Sequence, residues 1–87
     1  MDSTSVAKLL RERRVKLGIS QSDLAKLLGY SNPQYVSNWE RGLCSPPWGK
    51  IRRLLAELEL HQSEFIEVYM DDYKRVLKKQ LGIGARN

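Results

Sequence analysis

The sequence predicts an all-α domain of five helices, the last of which is extended. Apolar residues recur at spacings of three and four along five segments, which is the period of an amphipathic helix. No segment shows the period of two that a half-buried strand requires. Glycine or proline separates the first four segments from one another. Because 87 residues leave room for only one core, we expect a single domain over residues 1–87.

The charge distribution favours a polyanionic partner. The net charge is +5, and residues 1–56 hold ten Lys and Arg against four Asp and Glu, whereas residues 57–87 hold five against six. A basic surface gains affinity for phosphates through counterion release. No apolar run approaches the roughly 20 residues of a membrane span, and the N-terminus lacks the pattern of a secretory signal. We therefore expect a cytoplasmic protein that does not bind membranes.

Catalytic and metal-binding residues do not assemble into a recognisable pattern. The single cysteine, Cys44, excludes an internal disulfide, and with one histidine the chain cannot supply the usual four zinc ligands. The adjacent Asp71 and Asp72 are interpreted as a solvated pair. We predict that the protein is not an enzyme and needs no metal or cofactor.

The first helix is predicted to start at Thr4 or Ser5 and to end at Leu17, followed by Gly18. Arg14 falls on its apolar stripe. A buried arginine is costly unless a carboxylate pairs with it. The helix therefore predicts an acidic partner elsewhere in the chain.

The second helix is predicted over Gln21–Leu28. Ser20 and Asp23 have the spacing of a capping box, and Gly29 suits a left-handed C-cap. Three leucines are expected to face inward: Leu24, Leu27 and Leu28.

The third helix is predicted over Pro33–Arg41. Asn32 suits the N-cap, Pro33 suits the first helical position, and Gly42 ends the helix. At about 100° per residue, its inner face holds Val36, Trp39 and Glu40. Its outer face holds Gln34, Asn38 and Arg41.

The fourth helix is predicted to open at Ser45-Pro46-Pro47, with Ser45 as its cap. Its inward stripe, in which tryptophan is expected to be core, is Trp48, Ile51, Leu54, Leu55 and Leu58. The fifth helix, about residues 62–81, carries the longest stripe: Phe65, Ile66, Tyr69, Tyr73, Val76, Leu77 and Leu81.

Helices two and three, residues 21–41, have the layout of a helix-turn-helix, in which the second helix lies in the major groove of DNA. An amide side chain both donates and accepts hydrogen bonds, so Gln and Asn match base edges that present donors beside acceptors. Phosphates flanking the groove are bound by cations, hydroxyls and helix N-termini.

The stretch from Arg13 to Gly42 resembles the lambda-repressor/Cro-like helix-turn-helix proteins of the Xre group. The residues that carry the resemblance are Leu17-Gly18, Ser20-Gln21, Leu24-Ala25, Gly29, Val36-Ser37, Trp39-Glu40 and Gly42. With the fourth helix and the start of the fifth, it covers about residues 5–66. It implies a five-helix lambda-repressor-like DNA-binding domain with an extended C-terminal helix. It also implies a bacterial or phage-encoded, nucleoid-associated regulator.

Site residues follow from the resemblance. Arg14 is expected to pair with Glu40 as a structural ion pair. Base-reading residues are expected to be Gln34, Ser37, Asn38 and Asn32. Contacts with the DNA backbone are expected from Ser20, Gln21, Ser31, Tyr35, Arg41 and Lys50. For Tyr35 two further readings stay open, a contact with a thymine methyl and simple packing.

The turn before helix three departs from the family pattern. Seven steps separate Gly29 from Val36, where the family usually has six. The additional residue falls among Tyr30, Ser31 and Asn32. Two outcomes are open: an additional DNA contact from Ser31 or Asn32, or a different tilt of the helix.

The distal part of helix five predicts a protein–protein contact. Phe65, Ile66 and Tyr69 are expected to reach the core, and the later residues lie beyond it. A homodimer interface is expected to involve Tyr69, Tyr73, Val76, Leu77 and Leu81. The sequence thus predicts a sequence-specific transcriptional repressor that binds a palindromic site on double-stranded DNA as a dimer. The alternative is an antitoxin or interaction module whose last helix binds a partner protein.

Overall fold

The computed structural model describes residues 5–82 and confirms the all-α, five-helix fold. Within these residues no strand is present. The helices are α1 (Ser5–Lys16), α2 (Gln21–Leu27), α3 (Gln34–Glu40), α4 (Trp48–Glu57) and α5 (Gln62–Leu81). Thr4, the alternative start of the first helix, lies outside the described residues.

The core forms where α1 packs against α3 and α5, and α2 packs against α3. Each short helix contributes its inward stripe, because burying apolar surface is the main favourable term available to a domain of this size. The fully buried side chains include Leu10, Leu24, Val36, Leu54 and Leu58.

Three residues expected to be inward are exposed instead. Leu27 is 41% exposed, Ile66 58% and Trp48 79%. Leu27 lies at the margin of its stripe. Ile66 lies within its stripe, but on a side of α5 that is left exposed, whereas its neighbour Phe65 is buried. Trp48 is the first residue of α4, where it projects past the core and contacts the ring of Tyr69 at 5.8 Å between centroids. The prediction that Trp48 is core was wrong.

Glycines end α2 and α3 as predicted. Gly29 and Gly42 have φ values of 88° and 75°, which glycine adopts without a steric cost. After α3, the amides of Gly42 and Leu43 bond back to the carbonyls of Trp39 and Asn38, which satisfies the last turn of the helix. These two glycines therefore determine where α2 and α3 end.

The starts of α3 and α4 differ by a residue or two from the prediction. The N-cap of α3 is Pro33, whose carbonyl accepts the first helical bond, from Ser37. Asn32 still caps the helix from one position earlier, because its Oδ1 accepts from the Gln34 amide at 2.9 Å. The N-cap of α4 is Pro47 rather than Ser45, and no side chain caps that helix.

Asp72 is buried, so the prediction of a solvated pair holds only for its exposed neighbour Asp71. The Asp72 carboxylate accepts a hydrogen bond from the backbone amide of Val6 at 2.8 Å and is paired with Arg75. A carboxylate at a helix N-terminus is stabilised by the unpaired amides and the helix dipole. Asp72 thereby joins α5 to the first turn of α1.

Candidate nucleic-acid interface

The inner face of α3 is held by a buried ion pair. The Glu40 carboxylate accepts from Arg14 Nε at 2.7 Å and from Arg14 Nη2 at 3.0 Å. Arg14 Nη1 donates to the carbonyl of Ile19 at 2.8 Å, just before α2. Both charged groups are buried, and two hydrogen bonds join them. The Arg14 side chain therefore connects α1 to α3 and to the residue just before α2.

Gln21 completes this network at the start of α2. The capping box that opens α2 is present, with the Ser20 hydroxyl accepting from the Asp23 amide at 2.9 Å. In the first turn of this helix, Gln21 Nε2 donates to Glu40 Oε1 at 2.9 Å. This bond fixes the Gln21 amide beside α3, with its carbonyl oxygen left for other partners.

The outer face of α3 is polar and open to solvent. Gln34 and Arg41 are exposed, and Ser37 and Asn38 are half-buried. Gln34 Nε2 and Arg41 Nη2 both donate to Asn38 Oδ1, at 2.9 and 3.1 Å. The helix therefore presents a connected row of amides and a guanidinium on the side away from the core.

The turn that contains the additional residue is closed by aromatic rings. Tyr30 stacks on Tyr35 with ring centroids 4.3 Å apart and meets the edge of Trp39 at 5.9 Å. Burial raises the pKa of the Tyr30 hydroxyl, and the nearby Tyr35 and Cys44 side chains raise it further. Tyr30 is thus neutral at physiological pH, and the ring stack holds the turn against α3.

Lys50 has partners within the protein. Its ammonium donates to the Leu28 carbonyl at 2.8 Å, at the end of α2, and lies 5.0 Å from the centre of the Tyr30 ring. A cation at a helix C-terminus and over an aromatic face is stabilising. Lys50 therefore braces the turn, and two of its three N–H donors stay available for other acceptors.

The remaining residues that were predicted to contact DNA lie around α3. Four of them are exposed near the starts of the two helices: Ser20 before α2, and Ser31, Asn32 and Tyr35 around the start of α3. Asn32 uses its Oδ1 to cap α3, which leaves its NH2 group as the outward part of the side chain. Ser31, Asn32 and Tyr35 thus lie around the N-terminus of α3, whereas Ser20 lies at the start of α2, where Gln21 contacts Glu40 at the other end of α3.

Two residues with structural roles were missed in the sequence. Arg13 donates from Nε and Nη2 to the Leu58 carbonyl at 3.2 and 3.1 Å, and from Nη2 to the Glu59 carbonyl, closing the end of α4. Asp72 is the other. The signal for Asp72 was its place on the inward side of the last helix, about one turn after Tyr69.

The predicted dimer residues divide between two sides of α5. Tyr73, Leu77 and Leu81 form one exposed stripe together with Ile66 and Met70. Tyr69 is half-buried and contacts the ring of Phe65. Val76 is exposed and lines a cleft with Val6, Trp39 and Tyr73, so Tyr73 borders both sides. We call the first set, Ile66, Met70, Tyr73, Leu77 and Leu81, the α5 stripe.

Other types of site are not evident in residues 5–82. In that range no group of three or more His, Cys, Asp or Glu side chains could hold a metal ion. None of the helices described is long and apolar enough to cross a membrane.

Two short helices joined by a tight turn, with a polar outer face on the second, define a helix-turn-helix DNA-binding protein. A family described as "Helix-turn-helix domain" matches residues 5–65. The chain belongs to this family. It is a DNA-binding regulator of the Xre group.

Solved structures of restriction-modification controller proteins are similar to this chain. The restriction-modification controller protein C.AhdI from Aeromonas hydrophila is 32% identical, over 71% of this chain and 92% of that one, with a TM-score of 0.63. The wild-type controller C.Esp1396I is 21% identical, over 80% and 88%, with a TM-score of 0.61. A tyrosine-to-phenylalanine mutant of that second controller is 23% identical, over 90% and 98%, with a TM-score of 0.62. A comparison with curated protein sequences gave no significant match.

Proposed function

We propose that this regulator is a sequence-specific repressor that binds a palindromic operator as a homodimer. The observation that carries the proposal is the contrast across α3: its inner side is fixed by Glu40, and its outer side holds Gln34 and Asn38 within an open polar row. A rigid helix with outward amides suits the reading of base edges in the major groove.

Base reading is assigned to Gln34, Ser37, Asn38 and Asn32. Backbone contacts are assigned to Ser20, Gln21, Ser31, Tyr35, Arg41 and Lys50. The exposed N-terminal ends of α2 and α3 support Ser20, Ser31 and Tyr35, because hydroxyls there bind phosphate oxygens. For Arg41 and Lys50 the support is their positive charge.

The α5 stripe supports dimerisation. Its first four residues follow one another at spacings of four, three and four, the pattern of the seam between two paired helices. All five members are between 45% and 63% exposed. An apolar row of this length, rimmed by charges, is typical of a protein–protein interface.

Charge along α5 favours a second copy of this chain as the occupant of the stripe. The exposed acids Glu64, Glu67 and Asp71 lie in its first half and the exposed bases Lys74, Lys78 and Lys79 in its second, whereas Asp72 and Arg75 pair with each other. Two such helices running antiparallel place acidic half against basic half, with Glu67 of each copy beside Lys74 of the other. The arrangement is two-fold symmetric, as an isologous interface requires.

Two-fold symmetry links the dimer to its operator. Two copies related in this way read two half-sites of opposite orientation, with centres about 34 Å apart when they lie one helical turn from each other. Occupying such a site across a promoter is sufficient for repression. The similarity to C.AhdI, a restriction-modification controller protein, supports a role in controlling gene expression.

Selection of bound fragments from random-sequence DNA tests the proposal. We expect a palindromic consensus for the wild type. Asn38→Ala and Gln34→Ala should each lower affinity for that consensus by about 1–3 kcal/mol while leaving nonspecific DNA binding nearly unchanged. Equal losses on both kinds of DNA would contradict the base-reading assignment. A promoter–reporter assay with the consensus should show reduced expression, and increased expression would identify an activator.

The α5 stripe also favours the second candidate, an antitoxin or interaction module. In that case the stripe covers a different protein. Sedimentation separates the two candidates: a wild-type protein that stays monomeric at micromolar concentration, and enriches no DNA sequence, supports the interaction module.

A further inference from the structure

Three side chains on the outer face of α3 meet at one atom, Asn38 Oδ1. Gln34 Nε2 lies 2.9 Å from it and Arg41 Nη2 lies 3.1 Å from it. Gln34 is one turn before Asn38, and Arg41 directly follows the last residue of α3. Both of the lone pairs that an amide oxygen offers are therefore used within the protein.

Arg41 determines the orientation of both amides. A guanidinium has N–H donors and no acceptor, so the Asn38 atom that faces it must be the oxygen. Gln34 contacts the same oxygen and must therefore present its NH2 group. Without a donor-only neighbour, an i,i+4 pair of amides has two equivalent arrangements, related by turning both amides over.

This arrangement restricts what Asn38 presents to DNA. Its oxygen is occupied, so its outward hydrogen-bonding group is the NH2. Bidentate recognition of adenine needs an amide that accepts from N6 and donates to N7. Guanine presents two neighbouring acceptors, O6 and N7, on its major-groove edge. A donor-only Asn38 matches guanine and loses the advantage of the bidentate pair with adenine.

We propose that Arg41 is a positioning residue for base selection: by holding Asn38 Oδ1, it makes Asn38 a hydrogen-bond donor and directs it to guanine rather than adenine. This inference rests on the proposed DNA-reading function. It adds to the backbone contact assigned to Arg41, for which the other N–H groups of the guanidinium are available.

The test uses the full chain and the consensus selected for the wild type. Asn38→Ala first identifies the base pair that Asn38 reads, as the position where sequence preference is lost. Dissociation constants are then measured on duplexes carrying each of the four bases there. The variants are Arg41→Met, which removes the donors, and Arg41→Lys, which keeps a donor-only cation. Arg11→Met, an exposed arginine of α1, is the control for loss of one charge.

We expect the wild type to prefer guanine over adenine at that position by about fivefold or more, the lower end of what one good base contact provides. Arg41→Met should reduce that ratio to about one or invert it, and Arg41→Lys should keep most of it. Arg11→Met should leave the ratio unchanged. Because Arg41 is exposed, thermal unfolding of its variants should match that of the wild type.

Three results would overturn the inference and still leave a sequence-specific, dimeric repressor possible. They are a wild-type preference for adenine at that position, no position whose preference depends on Asn38, and an equal loss for Arg41→Met on guanine and adenine sites. The last result would identify Arg41 as a phosphate contact alone. Failure of the wild type to enrich any DNA sequence would instead overturn the proposed function, and this inference with it.

Discussion

The short helix α3 and the long helix α5 are both amphipathic, but their outward faces have opposite chemistry. The exposed side of α3 consists of amides and a guanidinium around Asn38, whereas that of α5 is the apolar α5 stripe. A row of hydrogen-bonding groups is well solvated when it is exposed to water, and it can bind a polar partner such as DNA with specificity. A row of apolar side chains contributes favourable free energy only when it is buried. The comparison supports the proposal that α3 contacts DNA and that α5 contacts a second copy of the chain.

The largest expected effect tests the apolar side of this comparison. Leu77→Asp places a charge on the α5 stripe, and two-fold symmetry introduces it twice. Losing the burial of one leucine costs about 1.5–3 kcal/mol, so the dimer should be weakened by about 3–6 kcal/mol. Analytical ultracentrifugation should show a monomer at concentrations where the wild type is a dimer.

Exchanging the charges of Glu67 and Lys74 tests how the two α5 helices are oriented in the dimer. Glu67→Lys and Lys74→Glu should each weaken the antiparallel dimer, and the double variant should recover it, since the pair is then reversed but intact. If the double variant is no better than either single one, the helices do not pair in this orientation. Glu64→Lys serves as a control for the loss of one acidic charge in the same half of α5.

The next effect tests the anchored side of α3. Glu40→Ala leaves the buried Arg14 guanidinium without its carboxylate and should lower the free energy of unfolding by about 3–5 kcal/mol. Chemical denaturation measures the loss. The double variant Arg14→Met/Glu40→Leu should recover much of it, because a buried ion pair is often replaced by apolar groups at little cost. Additive losses in the double variant would contradict the coupling.

A smaller effect tests how α5 is attached to α1. Asp72→Asn removes the negative charge at the N-terminus of α1 and should cost up to about 2 kcal/mol. Its exposed neighbour supplies a matched control, since Asp71→Asn should change stability by less than about 0.5 kcal/mol. Thermal unfolding of the two variants measures the difference. Equal midpoints would mean that the negative charge of Asp72 contributes nothing measurable.

The smallest effect concerns Lys50, which lies between the turn and the proposed DNA. Lys50→Ala should weaken binding uniformly across DNA sequences and reduce the salt dependence of affinity by about one phosphate contact. Titrations at several salt concentrations measure the slope. An unchanged slope, accompanied by a lower unfolding temperature, would leave Lys50 only its contacts with the Leu28 carbonyl and the Tyr30 ring.

Much of the fold was predictable because its signals are local. Capping residues, glycines and the helical period lie within a few residues of the features they determine, as Ser20 with Asp23 and Gly29 show for α2. That Arg14 needs an acidic partner was also predictable, because a charge on an apolar stripe is costly without one. The family resemblance then implied that this partner is Glu40.

The remaining features depend on contacts between distant segments. The exposure of Trp48 and Ile66 reflects how far neighbouring helices extend, which periodicity does not encode. The role of Asp72 depends on α5 passing the start of α1. The meeting of Gln34 and Arg41 at one atom of Asn38 depends on side-chain conformations, and the sequence indicated only that the three share a face.

The bond between Val6 and Asp72 also has a consequence for synthesis of the chain. It spans 66 residues, so the first helix to be made cannot obtain its cap until most of the chain has followed. At about 5–20 residues per second, that interval is about 3–13 s. Throughout it, α1 has no cap from Asp72 and no α5 to cover its apolar side. The helix that completes the packing of α1 is therefore the same helix that carries the proposed dimer interface on its other face.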